Sequence, residues 1–215
     1  MEPLGPTPRT KLSRRPQRGS HDRALVYAIL DEGLVCHVGV ALGGQPYVLP
    51  MSYGRLGDQL YLHGAPGSRM LGALRSGAQA CVTVSVVDGL VLGRTASKHS
   101  VNYRSVVLFG VAREVVSPGE KRDGLAAILE HFVPGRAAEV GGPTEADLNG
   151  TLVLAMAIAE ASAKARTGPP ADVEEEDGCW AGVIPLRIVT GAPEAHPRLA
   201  PSVPLDPSVV RRARS

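Results

Sequence analysis

The chain contains few cysteines, and their spacing is not typical of zinc-binding or disulfide-rich proteins. Its 215 residues include only three cysteines, Cys36, Cys81 and Cys179, which are widely spaced and form no Cys-x-x-Cys pair. This gives no signal for a structural zinc site or for a disulfide framework. Cys36 and Cys81 fall in apolar strand patterns, where a free thiol packs as a small hydrophobic residue. Such cysteine usage fits a reducing cytoplasm, where we expect the protein to reside.

Long apolar runs and nucleotide-binding signatures are also missing. The longest apolar run, from Leu152 to Ile158, is far shorter than the roughly 20 residues that a membrane helix requires. The N-terminal residues are basic and proline-rich, so no secretory signal is expected. There is no Gly-x-Gly-x-x-Gly, Walker or Gly-x-Ser-x-Gly motif, and the six histidines lack metal-ligand spacing. We therefore expect neither a metal centre nor a membrane partner.

The charge is unevenly distributed along the chain, although the formal net charge is only +2. Residues 1–19 are strongly basic, residues 191–215 are mildly basic and rich in proline, and residues 20–190 carry a small net negative charge. We predict a disordered basic tail over 1–19 and an extended Pro-rich tail over 191–215. The basic run could bind nucleic acid or a membrane surface, but a solvated tail is the simpler interpretation. The acidic body is not expected to bind nucleic acid.

Residues 20–190 show a series of strand patterns with helices interspersed. Helices are predicted to begin near Ser20, after Gly67, at Ser117 and at Thr144. Strands are predicted over 34–41, 46–55, 59–63, 78–87, 90–94, 105–116, 152–161 and 180–189, with turns at Gly43-Gly44 and Asp88-Gly89 and a Pro/acidic loop at 167–178. Pro50 cannot donate to a ladder, so its strand should have an edge or a bulge there. The pattern predicts a mainly β fold, a β-barrel with peripheral helices.

The segment from Tyr61 to Met70 predicts a strand, a tight Gly/Pro turn and the start of a helix. A helix N-terminus has unpaired N–H groups and the positive end of the dipole, so Ser68 and Arg69 could bind a phosphate there. His63 lies on the strand just before, within reach of whatever that phosphate is attached to. From the spacing alone, an ordinary helix cap with a surface arginine is the simpler interpretation.

Two further clusters are candidates for ligand binding. The polar run from Lys98 to Ser105 precedes an apolar strand, and Arg94, Lys98 and Arg104 could serve an anion, with a solvated loop as the alternative. Trp180, the only tryptophan, either fills the core or stacks on a planar ligand. Lys164 and Arg166 alternate at a strand end, which is typical of a solvated edge.

Taken together, these motifs resemble the pyridoxamine 5′-phosphate oxidase-related flavin-binding proteins of split-barrel fold, most closely their nitroimidazole-resistance (Nim)-like branch. The resemblance runs from about Ser20 to Val189, with several motifs in the right order. The matching stretches are Pro50–Gly54, Leu60–Ala65, Ser68-Arg69, Cys81–Val84, Asp88–Leu92, His99–Ser105, Ser162–Pro170 and Trp180–Val183.

The resemblance implies a homodimer that binds FMN at the subunit interface. Met51, Ser52, Tyr53 and His63 would then line the flavin ring, and the run Ser68-Arg69-Met70 would bind its phosphate. Met70 replaces a lysine of the family run, so Lys98 or Arg104 would have to supply the missing cation. The other residues that the resemblance implies as cofactor contacts are Asn102, Tyr103 and Trp180.

The function implied is FMN-dependent oxidoreduction of a small molecule, nitroreductase-like or pyridoxamine-phosphate-oxidase-like, with a reduced nicotinamide as candidate electron donor. In Nim-like proteins the histidine matching His63 stands beside the isoalloxazine, which makes His63 the candidate catalytic residue. Because flavin carries the redox chemistry, no strong catalytic motif is needed. The alternatives are a non-catalytic flavin- or haem-binding carrier or sensor, and a deazaflavin-dependent reductase on the same fold.

Overall fold

The computed structural model describes residues 2–171 and 179–213, which form ten strands and six α-helices. The strands are β1 (Gly19–Ser20), β2 (Cys36–Leu42), β3 (Gln45–Met51), β4 (Tyr53–Leu56), β5 (Gln59–Gly64), β6 (Gln79–Leu92), β7 (Ser100–Glu114), β8 (Leu152–Ala157), β9 (Glu160–Arg166) and β10 (Gly182–Pro185). The helices are α1 (Arg23–Glu32), α2 (Arg69–Arg75), α3 (Pro118–Phe132), α4 (Arg136–Val140), α5 (Glu145–Gly150) and α6 (Pro207–Arg212). The mainly β class predicted from the sequence is confirmed. None of the helices in these described ranges is long and apolar enough to cross a membrane.

The chain divides into two compact units. Unit 1 comprises Met1–Met51, Gln79–Gly110 and Ile158–Arg187. Unit 2 comprises Ser52–Ala78, Val111–Ala157 and Ile188–Ser215. Each unit is therefore assembled from three separate stretches of sequence, and residues 172–178 of the predicted Pro/acidic loop lie outside the described residues.

Unit 1 is organised around the antiparallel strand β2, which lies between β3 and β6. His37 is paired with Pro50 on one side and with Thr83 on the other. Strand β6 also pairs with β7 and β10, and β9 pairs with β7 and β1. Because β3 lies at the end of the strand order, the missing N–H of Pro50 is tolerated at an edge, as the sequence predicts.

Helix α1 covers the buried face of the sheet in unit 1. Its fully buried residues are Val26, Ile29 and Leu30, at the spacing of one helix face. The helix begins after Asp22 rather than at Ser20, because the Asp22 carboxylate accepts a hydrogen bond of 3.0 Å from the N–H of Leu25.

Several strand predictions differ from the structure. The single strand predicted over 46–55 is two strands, β3 and β4. There is no turn at Asp88-Gly89, because β6 runs unbroken from Gln79 to Leu92. Gly89 instead allows β10 to approach closely: a Cβ added there would lie 3.0 Å from the carbonyl oxygen of Ile184. Strand β7 begins at Ser100, five residues earlier than predicted. The single strand predicted over 152–161 is two strands, β8 and β9.

In unit 2, strand β5 lies between β4 and β8, and helix α3 packs across these strands. The buried cluster consists of Tyr61, Val115, Ile128, Val153 and Ala155. The predicted start of α3 is confirmed, since the Ser117 side chain accepts a hydrogen bond from the N–H of Glu120.

Two glycines allow the close approach of α3 to the sheet of unit 2. A Cβ on Gly54 of β4 would lie 2.5 Å from the backbone of Ala127 and Ile128. A Cβ on Gly124 of α3 would lie 2.6 Å from the ring of Tyr61. Helix and strands are therefore in direct backbone contact, which any larger residue at either position would disturb.

Residues 2–18 differ from the disordered tail that the composition predicts. Leu4 is 1% exposed, its N–H donates to the carbonyl of His21, and its carbonyl accepts from the N–H of Ala161. Arg9 forms an ion pair with Glu160, and its guanidinium lies 5.2 Å from the centre of the Phe109 ring. One buried leucine and one ion pair thus hold a basic segment against unit 1, a feature that average composition does not reveal.

The C-terminal segment also contains structure. Residues 191–206 contain no helix or strand, in line with an extended segment, but α6 follows them. Asp206 forms an ion pair with Arg136 of α4, and the N–H of Ser208 donates to Glu139 at 2.8 Å. These contacts attach the end of the chain to unit 2.

Candidate functional site

His63 lies near the end of β5, opposite Val153 of β8. Its neighbour Leu62 is fully buried, whereas His63 itself is half-buried. The ring Nδ1 is buried and has no hydrogen-bond partner among the described residues. Burial lowers the pKa of His63, so the ring is neutral at pH 7 and one ring nitrogen is a donor while the other is an acceptor. A buried polar atom without a partner costs about 1–3 kcal/mol, which points to a group that binds there.

The segment after His63 has the predicted geometry. Ser68 caps α2, and its hydroxyl accepts a hydrogen bond of 3.3 Å from the N–H of Leu71. Arg69 is the first residue of the helix and is exposed. Met70 is 4% exposed and lies on the buried side of the helix with Leu71 and Leu74. The position at which the sequence resemblance implies a lysine is therefore occupied by an apolar side chain that packs in the core of unit 2.

The stretch from Met51 to Tyr53 joins β3 to β4. The carbonyl of Met51 accepts a hydrogen bond of 3.4 Å from the Cys36 thiol, and burial raises the pKa of that thiol to about 12. Ser52 is half-buried. Tyr53 is fully buried in unit 2, with its ring centre 4.5 Å from that of His131. The Tyr53 ring therefore packs in the core, and a ligand would meet mainly the backbone of this stretch.

The guanidinium of Arg104 is bound by carboxylates in this structure and is not available to an anionic ligand. It donates to Asp88 through Nε at 2.9 Å and Nη2 at 2.6 Å, and to Glu32 through Nη2 at 2.6 Å. The hydrogen bonds to Asp88 and Glu32 raise the pKa of Arg104, and the bond from Arg104 lowers the pKa of Glu32. The predicted phosphate cation is thus already held by two carboxylates, and its role here is to tie the end of α1 to strands β6 and β7.

The polar run from Ser100 to Ser105 lies in strand β7 and not in a solvated loop, whereas Lys98 and His99 precede the strand. Lys98 is half-buried at the end of a short 3₁₀ turn, where its backbone lies against Gly93. Tyr103 is half-buried and is paired with Arg166 of β9. Asn102 is 7% exposed, and its amide accepts from Arg166 and donates to the carbonyl of Gly168 at 3.2 Å.

Arg166 is more buried than the sequence predicts. The alternation of Lys164 and Arg166 favours a solvated strand edge, but Arg166 is 8% exposed. The alternation of Lys164 and Arg166 places both on one face of β9, and no sequence pattern shows that Asn102 from β7 and the turn after β9 enclose the second of them. That enclosure depends on the register between β7 and β9.

Trp180 does not fill the core. Its side chain is 65% exposed, and its ring lies over Gly182, where an added Cβ would be 2.6 Å from Cζ2. The glycine lets the indole approach β10 closely, while most of the residue stays exposed to solvent. This arrangement suits the stacking role proposed from the sequence better than the alternative of core filling.

The predicted site residues fall in both units. Met51, Lys98, Asn102, Tyr103, Arg104 and Trp180 belong to unit 1. Ser52, Tyr53, His63, Ser68, Arg69 and Met70 belong to unit 2. The cofactor roles predicted for these residues remain predictions.

Comparison with known proteins identifies the family. The family model described as pyridoxamine 5′-phosphate oxidase matches residues 22–165. The chain therefore belongs to the pyridoxamine 5′-phosphate oxidase-related family, as the sequence motifs indicate. A search of curated proteins finds no match.

Solved structures agree with this assignment. The flavocytochrome Anf3 from Azotobacter vinelandii is 37% identical, with a TM-score of 0.87 and coverage of 95% of this chain and 96% of that chain. The FAD and heme binding protein from Mycobacterium smegmatis is 39% identical, with a TM-score of 0.85 and coverage of 90% and 96%. A putative 5-nitroimidazole antibiotic resistance protein from Bacteroides thetaiotaomicron is 24% identical, with a TM-score of 0.58 and coverage of 68% and 85%, and shows a common fold. The split-barrel fold class predicted from the sequence is confirmed.

Proposed function

We propose that this protein binds a flavin and uses it as the redox cofactor of a small-molecule oxidoreductase. The family assignment supports this proposal, as do a flavocytochrome that is 37% identical and a FAD and heme binding protein that is 39% identical over almost the whole chain. The structural observation that carries it is the buried Nδ1 of His63, which has no partner among the described residues.

The residues of this chain fit a flavin. A flavin ring edge presents both N–H and C=O groups, and a neutral imidazole can donate to one kind or accept from the other. The backbone of Ser52 and Tyr53 would contribute further hydrogen bonds to the ring, and Ser68 with Arg69 would bind the phosphate end. When bound, the flavin supplies hydride and single-electron chemistry. The role of His63 would be to orient the ring and to accept a proton, because burial keeps the imidazole neutral at pH 7.

The comparisons favour FAD over the FMN that the sequence resemblance implies. A relative that is 39% identical is named as a FAD and heme binding protein, and its match covers 96% of that chain. The predicted homodimer, with cofactor contacts from both subunits, and a reduced nicotinamide as electron donor belong to the same proposal.

The absorbance spectrum of the purified protein tests this function directly. We expect the visible bands of an oxidised flavin, and mass spectrometry of the released cofactor distinguishes FAD from FMN and from a deazaflavin. His63→Leu should weaken flavin binding, whereas His37→Leu on the exposed side of β2 should not. A colourless protein that leaves the fluorescence of added FMN and FAD unquenched would contradict the proposal. Steady-state oxidation of NADH or NADPH with candidate acceptors then separates an enzyme from a carrier.

Haem is a second candidate ligand, alongside the flavin. Of the relatives described above, one is named a flavocytochrome and one a FAD and heme binding protein. Protein expressed with a haem precursor should then show a Soret band in addition to the flavin bands. A spectrum that contains only flavin bands under these conditions would reject the haem role and leave the flavin role intact.

A further inference from the structure

Arg166 is a buried cation without a counter-charge among the described residues. Its guanidinium is bound by three neutral oxygens. Nη1 donates to the amide oxygen of Asn102 and to the carbonyl of Gly168 at 3.2 Å, and Nη2 donates to the carbonyl of Pro169 at 3.0 Å. No carboxylate in the described part of the chain pairs with it, although the side chain is more than nine-tenths buried.

Burying the Arg166 guanidinium among neutral groups costs free energy, and an anionic ligand would offset that cost. Arginine stays protonated in proteins, so the group is charged, and moving a charge out of water carries a large penalty when only neutral groups receive it. Arg104, on the neighbouring strand, shows the usual solution, since two carboxylates neutralise it. A glutamine could hold the carbonyls of Gly168 and Pro169 without that penalty, so positioning the turn does not by itself require an arginine.

Two N–H groups of the Arg166 guanidinium have no acceptor among the described residues. The guanidinium carries five N–H groups, and the three acceptors named above leave Nε–H and one N–H of Nη2 without a described partner. Among the described residues, the only fully buried side-chain polar atom without a partner is Nδ1 of His63, so Nε of Arg166 still reaches solvent. The edge formed by Nε and Nη2 is the one that can bind an anion through two parallel hydrogen bonds.

We propose that Arg166 binds a phosphate group of the flavin through its Nε–Nη2 edge, with Asn102 as the residue that holds the guanidinium in place. This inference rests on the proposed flavin-binding function. It supplies a cation that Arg104 of the neighbouring strand, held by two carboxylates, does not offer. Asn102 and Tyr103, which the family resemblance implies as cofactor contacts, then lie beside the residue that makes the charged contact.

Titration of the flavin-free full-length chain with riboflavin, FMN and FAD tests the proposal, because riboflavin lacks the phosphate. We expect Arg166→Gln to weaken FMN and FAD binding by about 10- to 100-fold and to leave riboflavin binding unchanged. Arg166→Lys keeps the charge but loses the fork, so it should retain part of the affinity for FMN and FAD. Lys164→Gln is the matched control, since it removes the same charge from the same strand two residues away, and it should change none of the three constants.

The outcomes separate this inference from the proposed function. If wild-type protein binds none of the three flavins, the function itself is wrong. If Arg166→Gln weakens all three flavins equally, Arg166 has only a structural role, and if it weakens none, Arg166 is not a ligand. If the variant keeps FMN and FAD but loses haem, the anion is a haem carboxylate and not a phosphate. Circular dichroism and the preserved riboflavin affinity report whether each variant is folded.

Discussion

Three polar side chains of this protein are partly or largely buried, and they differ in the partners that compensate for the lost contact with water. Arg104 is partly buried and held by two carboxylates. Arg166 is more deeply buried and has hydrogen bonds but no described counter-charge. His63 has a buried ring nitrogen with neither. The first arrangement is complete within the described residues, whereas each of the other two leaves hydrogen-bonding capacity that the described residues do not satisfy.

The pH dependence of stability gives a test at His63. Burial lowers its pKa in the native state below the ordinary value of 6.5, which the unfolded chain retains. Below that pH the unfolded state binds more protons than the native state, so the free energy of unfolding decreases as the pH falls through this window. Between about pH 7.5 and about pH 5, flavin-free wild type should therefore lose more stability than His63→Asn, as measured by urea unfolding. His37→Asn on the exposed side of β2 is the control and should follow wild type. Parallel curves for wild type and His63→Asn would contradict the prediction.

At the residue scale, the sequence predicts the role of a side chain correctly when that role depends on residues nearby in the chain. Ser68 caps α2 as expected, and Pro50 lies on an edge strand as expected. The environment of Arg166 could not be predicted, because it depends on a neighbouring strand, and the sequence contains no record of the register that brings Asn102 beside it. The same holds for Arg104, whose carboxylates come from positions 16 and 72 residues away in the chain.

At the scale of the elements, glycines lead to one correct and one incorrect prediction of a turn. Gly43 and Gly44 have φ angles of 57° and 80° and form the predicted hairpin turn between β2 and β3. Gly89 was predicted to make a turn in the same way but lies within β6, where it makes room for β10. A glycine that allows a turn and a glycine that allows close packing look alike in sequence, and only the tertiary neighbours distinguish them.

Gly124 of α3 tests this distinction. Alanine normally stabilises a helix interior by about 1 kcal/mol relative to glycine. At Gly124 the added Cβ would lie 2.6 Å from Cδ1 of Tyr61, whose ring is buried and whose hydroxyl donates to Glu120 at 3.2 Å. Because overpacking of this kind costs about 1–3 kcal/mol, Gly124→Ala should lower the free energy of unfolding, as measured by chemical denaturation.

Gly72 of α2 is the matched control for this prediction. Nothing lies within 4 Å of a Cβ added there, so Gly72→Ala should raise the free energy of unfolding by about 0.5–1 kcal/mol. Opposite signs for the two glycine-to-alanine changes would assign the difference to packing. A stabilising effect of Gly124→Ala would show that α3 does not approach Tyr61 as closely as described.

At the scale of the whole molecule, composition separated the chain into a body and two tails, and the structure does not follow that division. Unit 1 includes the N-terminal residues and unit 2 includes the C-terminal residues, and both segments form backbone hydrogen bonds or ion pairs. Charge and proline content report what a segment is made of on average. Anchoring requires only one or two well-placed apolar or charged side chains, which an average hides.

Truncation of Leu4 tests whether the N-terminal segment is packed against the rest of unit 1 or is free in solution. Leu4 is 1% exposed, and its backbone bridges His21 and Ala161 of unit 1. If the segment packs, Leu4→Ala should reduce the free energy of unfolding by about 2–4 kcal/mol, the cost of truncating a buried leucine. Leu199→Ala is the matched control, because Leu199 lies in the other predicted tail and is 47% exposed, so its truncation should cost less than about 0.5 kcal/mol. A free tail would give the two variants the same unfolding curve, and a clear difference between them would make residues 2–18 part of the folded unit that carries Arg166 and Trp180.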